Sequence, residues 1–144
     1  MSSDQIYLLD TSIVIRVLRR RPIEKIARRV GPLIESGAAS SNDVVRTELL
    51  IGSKTPHEVN QITRFLGGLR ELRVTPQTWD SAAKLGFQLR RKGVTATVTD
   101  LLIASSAIEV NAIVMHVDGD FDAIAEHCDL RVESYVERPN VTRT

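Results

Sequence analysis

A single cysteine, Cys128, in a chain of 144 residues excludes an internal disulfide and any zinc cluster built on cysteine pairs. Such a chain is expected in a reducing cytoplasm, with Cys128 as an ordinary helix-end residue. Aromatic side chains make up only 4% of the sequence, so recognition of nucleic acid through a series of stacked bases is excluded and any such contact has to be mainly electrostatic. No apolar run approaches the roughly 18 residues of a membrane span. The opening MSSDQIYLLD also lacks the basic start and long apolar core of a secretion signal. The expectation is a soluble, cytoplasmic protein with no membrane partner. GxxxxGK and GxGxxG strings are absent, so no glycine loop cradles a phosphate, and no His-Glu-x-x-His pair offers a zinc site. His57, His116 and His127 lack ligand spacing and read as a surface, a strand and a helix-end residue.

The residues that are present describe one globular unit. Apolar residues at 42% and charged residues at 26% suit a single core at this length. The expected boundaries are one domain over residues 1–137 and a loose tail over 138–144. Within it, strands and helices alternate. IYLL is a strand, SIVIRVLRR a helix bounded by Pro22, and PIEKIARRVGPLIES further helix with a break at Gly31-Pro32. AASS is a short strand before the helix DVVRTELLIGS, capped by Ser41 or Asn42. An amphipathic helix follows in PHEVNQITRFLGGLREL, then a short strand LRV, then the helix PQTWDSAAKLGFQLRRKG with Pro at its start and Gly93 at its end. The mostly apolar TDLLIASSAIEV reads as a buried helix, NAIVMHV as a strand, DFDAIAEH as a short helix and LRVES as a last strand. This order predicts a three-layer α/β/α sandwich with a mainly parallel central sheet.

In such sheets the working crevice lies beyond the carboxyl ends of the strands. Asp10 follows the first strand directly and Asp118 follows NAIVMHV directly; Asp100 begins the buried helix, and Glu48 lies in a helix that starts just after a strand. Each residue alone has an ordinary role: Asp10 and Asp100 as helix caps, Glu48 as a solvated helical residue, Asp118, Asp120 and Asp122 as an acidic helix start. Together they are a different matter. Carboxylates converging in a partly buried pocket repel one another, and a divalent cation with oxygen preference, Mg²⁺ or Mn²⁺, resolves the conflict. A calcium loop starting at Asp118 fails, because Ala123 stands where the sharp turn needs Gly and Asp129 where a bidentate Glu is required.

Three blocks, LLDTSIVIRVL, VVRTELLIG and VTDLLIASSAIEVNAIVMHVDGDF, in this order resemble the PIN domain, and most closely the VapC ribonuclease toxins of VapBC toxin–antitoxin pairs. The resemblance covers nearly the whole chain. It implies a PIN-like fold and a metal-dependent endoribonuclease that cleaves structured RNA, tRNA or rRNA, by attack of an activated water on a phosphodiester. The residues it implies for catalysis are Asp10, Glu48, Asp100 and Asp118, the same acids holding Mg²⁺ or Mn²⁺ with Asp120 as an alternative or supporting ligand. It also implies that Ser12 orients a carboxylate from behind. Many relatives place Thr or Ser two residues before the fourth acid, where this chain has His116. The basic clusters Arg19, Arg20, Arg21 and Arg90, Arg91, Lys92 are candidate phosphate contacts. A homodimer and a cognate VapB-type antitoxin are the implied protein partners. Two other readings have a place: a catalytically silent PIN-like RNA-binding or scaffold module, and a haloacid dehalogenase type phosphoryl-transfer enzyme. The latter requires a second Asp where Ser12 stands.

Overall fold

The protein is described here by a computed structural model covering residues 4–137. The expected tail, 138–144, lies outside the described residues. Five strands, β1 (Tyr7–Leu9), β2 (Ala39–Asn42), β3 (Arg70–Leu72), β4 (Ile113–His116) and β5 (Arg131–Ser134), form one sheet in the order β3-β2-β1-β4-β5. Every pairing is parallel. The helices are α1 (Thr11–Leu18), α2 (Glu24–Glu35), α3 (Asp43–Ile51), α4 (Pro56–Gly67), α5 (Pro76–Arg91), α6 (Val98–Glu109) and α7 (Gly119–Ala125).

The order of the strands places the site. From β1 the chain winds outward through β2 to β3, then returns across the sheet to lay β4 on the other side of β1. The direction of winding therefore reverses between β1 and β4, and at such a switch point the connections diverge and leave a crevice at the carboxyl ends. Asp10 and Asp118 stand on its two sides.

The core explains why the short central strands hold. Leu8 registers with Ser40 and Val114, and Leu9 with Met115. These leucines, Val114, Met115, Ile103 of α6 and Phe121 of α7 are completely buried. In α6 the run Leu101–Ala107 is buried all round, as its nearly unbroken apolar sequence requires of a central helix. Its close partner is α5. A Cβ at Gly86 would stand 2.7 Å from Leu101 Cδ1, so an added methyl there would have to displace the end of that leucine.

Two local expectations are corrected. α2 runs unbroken through Gly31 and Pro32. Pro32 removes only the bond to the Arg28 carbonyl, on an exposed residue of the helix. The third strand is Arg70–Leu72 rather than LRV, because Val74 N–H donates to Asp43 Oδ1 at 2.9 Å and draws the chain off the sheet. The amphipathic helix of PHEVNQITRFLGGLREL, which Gly67-Gly68 weakens, stops at Gly67, where the Gly68 N–H closes on the Phe65 and Leu66 carbonyls. Of the two caps considered for α3, Asn42 is the one used, its Oδ1 accepting the Val45 N–H at 2.9 Å.

Candidate metal centre

Asp10 sits where β1 becomes α1. Its N–H still donates to the Met115 carbonyl of β4 at 3.0 Å, while its side chain turns to cap the helix. Oδ2 accepts from the Ser12 N–H at 3.1 Å and from the Ser12 hydroxyl at 2.5 Å. The same hydroxyl accepts the Val117 N–H at 3.0 Å, which ties the ends of β1 and β4 together behind the carboxylate. Asp10 is 4% exposed, so capping and a place in a buried acidic pocket are one arrangement rather than rival explanations.

The other acids arrive from three helices. Asp118 caps α7, its Oδ1 accepting the Asp120 N–H at 3.0 Å. Asp100 lies in the first turn of α6, positioned by its N–H to Thr97 Oγ1 at 3.2 Å. Asp100, Asp118 and Asp120 each bring one carboxylate oxygen to within 4.8 Å of the others'. Glu48 reaches in from α3, and Thr11 Oγ1 donates to its Oε1 at 3.0 Å. Thr11 is the residue that sequence reasoning missed. It was visible in the Asp-Thr-Ser string, but its partner is 37 positions away and only the packing of α1 on α3 reveals it.

The protonation equilibria register the crowding. Asp100 is pushed up to about 6, first by burial and then by repulsion from Asp118, Asp10 and Asp120. Burial raises Asp10, with Asp118 adding repulsion against the bonds from Ser12. Glu48 is raised by burial and by the charges of Asp10 and Asp118, against the Thr11 bond. Asp10 and Asp118 thus act on both Glu48 and Asp100, although Asp10 and Glu48 stand outside the tight group of three. An all-oxygen set of converging carboxylates, destabilised as anions, fits a hard divalent cation such as Mg²⁺ or Mn²⁺.

His116, fully buried at the end of β4, backs this cluster. Its Nδ1 accepts the Asp118 N–H at 3.1 Å. Nε2 lies 3.2 Å from Asp122 Oδ1, a hydrogen-bond distance, but off line for one, so that contact is electrostatic. Burial holds the ring's pKa below the usual histidine value.

The basic clusters divide. Arg19 and Arg20 share a cleft of about 430 Å³ with Thr11 and Glu48, while the exposed Arg21 does not line it. Arg91 stacks 5.6 Å from the Phe87 ring centre and Lys92 donates to the His127 carbonyl at 3.3 Å. Together with Arg90 they close the end of α5, and among the described residues none of the three forms an ion pair with the acids.

Fold and site together define a class: α/β/α domains that gather acids from several elements at the switch point of a parallel sheet. The chain belongs to the PIN domain family, whose model matches residues 7–127. Over 122 residues it is 31% identical to Ribonuclease VapC51 of Mycobacterium tuberculosis, covering 83% of this chain and 85% of that protein. With Ribonuclease VapC2 of the same species it shares 30% identity over 141 residues, 95% of this chain and 97% of the relative. Among solved structures, VapBC-1 from nontypeable Haemophilus influenzae superposes with a TM-score of 0.73 at 26% identity, covering 90% of this chain and 98% of that one.

Proposed function

We propose that this chain is a Mg²⁺- or Mn²⁺-dependent endoribonuclease, the toxin of a VapBC-type toxin–antitoxin pair. The observation that carries the reading is the meeting of Asp100, Asp118 and Asp120 oxygens within 4.8 Å, beside Asp10 and Glu48, in a chain whose relatives are named ribonucleases. Asp100, Asp118 and Asp120 would hold the ion, with Asp10 and Glu48 beside them. When bound, such an ion lowers the pKa of a coordinated water and offsets charge on phosphate oxygens.

This chain's own residues account for the rest. Ser12 bonds Asp10 Oδ2 through both its N–H and its hydroxyl, which would hold that carboxylate in one orientation. Thr11 occupies Glu48 Oε1 and leaves Oε2 to accept a proton from the attacking water. Arg19 and Arg20 would meet RNA phosphates along the cleft that Glu48 also lines, positioning the strand without reading bases. A cognate antitoxin is supported by the likeness to a VapBC structure, and a homodimer and a cytoplasmic setting complete the reading. No described helix is long and apolar enough to cross a membrane.

The test is cleavage of total RNA by the purified chain, freed of any antitoxin, with Mg²⁺ or Mn²⁺ and with EDTA. Discrete fragments with 5′-phosphates that disappear in EDTA and return with metal are expected. Asp100→Asn should lose more than the roughly 10–100-fold that outer partners of a metal cost. Equal cleavage by the variant would expose a contaminant, and a folded wild type that cuts nothing would favour an RNA-binding module.

A further inference from the structure

We propose that His116 is a positioning residue for the acidic cluster, holding the backbone of Asp118 through its Nδ1. The inference goes beyond the assignment of ligands and rests on the metal-holding reading only for its binding readout. Asp118 has to turn sharply out of β4 to cap α7, and among the bonds that hold this turn two involve Asp118 and a side-chain acceptor. Its own N–H is held by His116 Nδ1, and its Oδ1 takes the Asp120 N–H. The first fixes the chain on the strand side, the second on the helix side, and the turn is what brings the Asp118 and Asp120 oxygens up to Asp100.

The ring itself has little freedom. Because Nδ1 accepts a hydrogen bond from the Asp118 N–H, the single N–H of the neutral ring is on Nε2, which lies 3.2 Å from Asp122 Oδ1 in an electrostatic contact without hydrogen-bond alignment. Asp122 is anchored in turn, its Oδ2 accepting the Ser134 hydroxyl of β5 at 2.9 Å. Phe121 packs against the ring with centroids 5.3 Å apart. A chain of contacts thus runs from β5 through Asp122 and His116 to the backbone of Asp118. A buried ring that served packing alone would not need Nδ1 set on the Asp118 N–H.

Two substitutions of similar polarity separate the nitrogens. In His116→Asn the side-chain amide stands where Nδ1 stands and its oxygen can accept the Asp118 N–H. In His116→Gln the amide reaches towards the Nε2 position and leaves that N–H without its acceptor. Two readouts are taken on the purified full chain: hydrogen exchange at the Asp118 amide, and Mn²⁺ affinity by calorimetry, with melting temperature as the folding control. The Asn variant is expected to keep the amide protected and Mn²⁺ affinity within about threefold of wild type. The Gln variant should lose protection and at least about tenfold in affinity, the scale for outer partners of a metal ligand. Gln matching Asn in both readouts, or neither variant differing from wild type, would overturn the proposal. Neither readout needs RNA cleavage, so a chain that shows the expected pattern yet cuts no RNA would refute the nuclease reading and leave this one standing.

Discussion

Asp100 carries the clearest pH signature of the pocket. Its carboxyl titrates near 3.8 when unperturbed and at about 6 in the folded chain, so its favourable contribution is complete below about 4 and is lost as pH rises through 6. In EDTA at pH 7.5, therefore, Asp100→Asn should be more stable than wild type. The shift corresponds to a few kcal/mol at most; after discounting for solvent screening we expect about 1 kcal/mol, or roughly 3 °C in Tm. Thermal melts from pH 4 to 7.5 should show the advantage fading below about pH 5. A variant no more stable than wild type at pH 7.5 would mean that the acids do not repel. At this scale the sequence was informative about the acids, since Asp10 and Asp118 end strands and Asp100 opens an apolar helix. Beyond Ser12 on Asp10, it was silent on what orients them. Thr11 on Glu48, and His116 on Asp118, are relations between side chains that only the assembled sheet ends create.

At the scale of elements, α6 is the piece that delivers Asp100, and its cap is the natural place to disturb it. Thr97→Ala removes the hydroxyl that accepts the Asp100 N–H, which should cost about 1 kcal/mol of stability, read from urea unfolding. Unchanged stability would show that burial of Leu101–Ala107 alone fixes the start of this helix. Elements were legible wherever punctuation and period agreed, as in α5, where Pro76 starts the helix and Gly93, at a φ of +84°, ends it. They were not where tertiary contacts override local preference. Pro32 argues for a break, yet Val30 and Leu33 are buried on either side of it and hold α2 in one piece. β3 shifted for a similar reason, since Asp43, far away in sequence, claims the Val74 N–H.

Across the whole molecule, the order β3-β2-β1-β4-β5 converts scattered acids into one site. Strand alternation implied a parallel sheet, but nothing local in the chain says that β4 returns to the side of β1. The same geometry turns Arg19 and Arg20 toward the cleft that Glu48 lines. For RNA binding by the cleavage-deficient Asp100→Asn protein, replacing both arginines with Gln should weaken binding. It should also flatten the slope of log affinity against log salt by about 1.4, the value for two contacts on a single strand. An unchanged slope would place the RNA path elsewhere.

The central claim is that acids from α6 and the β4–α7 turn share one cation. The most direct test is a crystal of the full chain soaked in Mn²⁺ and measured for its anomalous signal. The account predicts a peak at bonding distance, about 2.1 Å, from carboxylate oxygens of both Asp100 and Asp118. A saturated crystal with no peak there, or with manganese bound only at other acids, would contradict it.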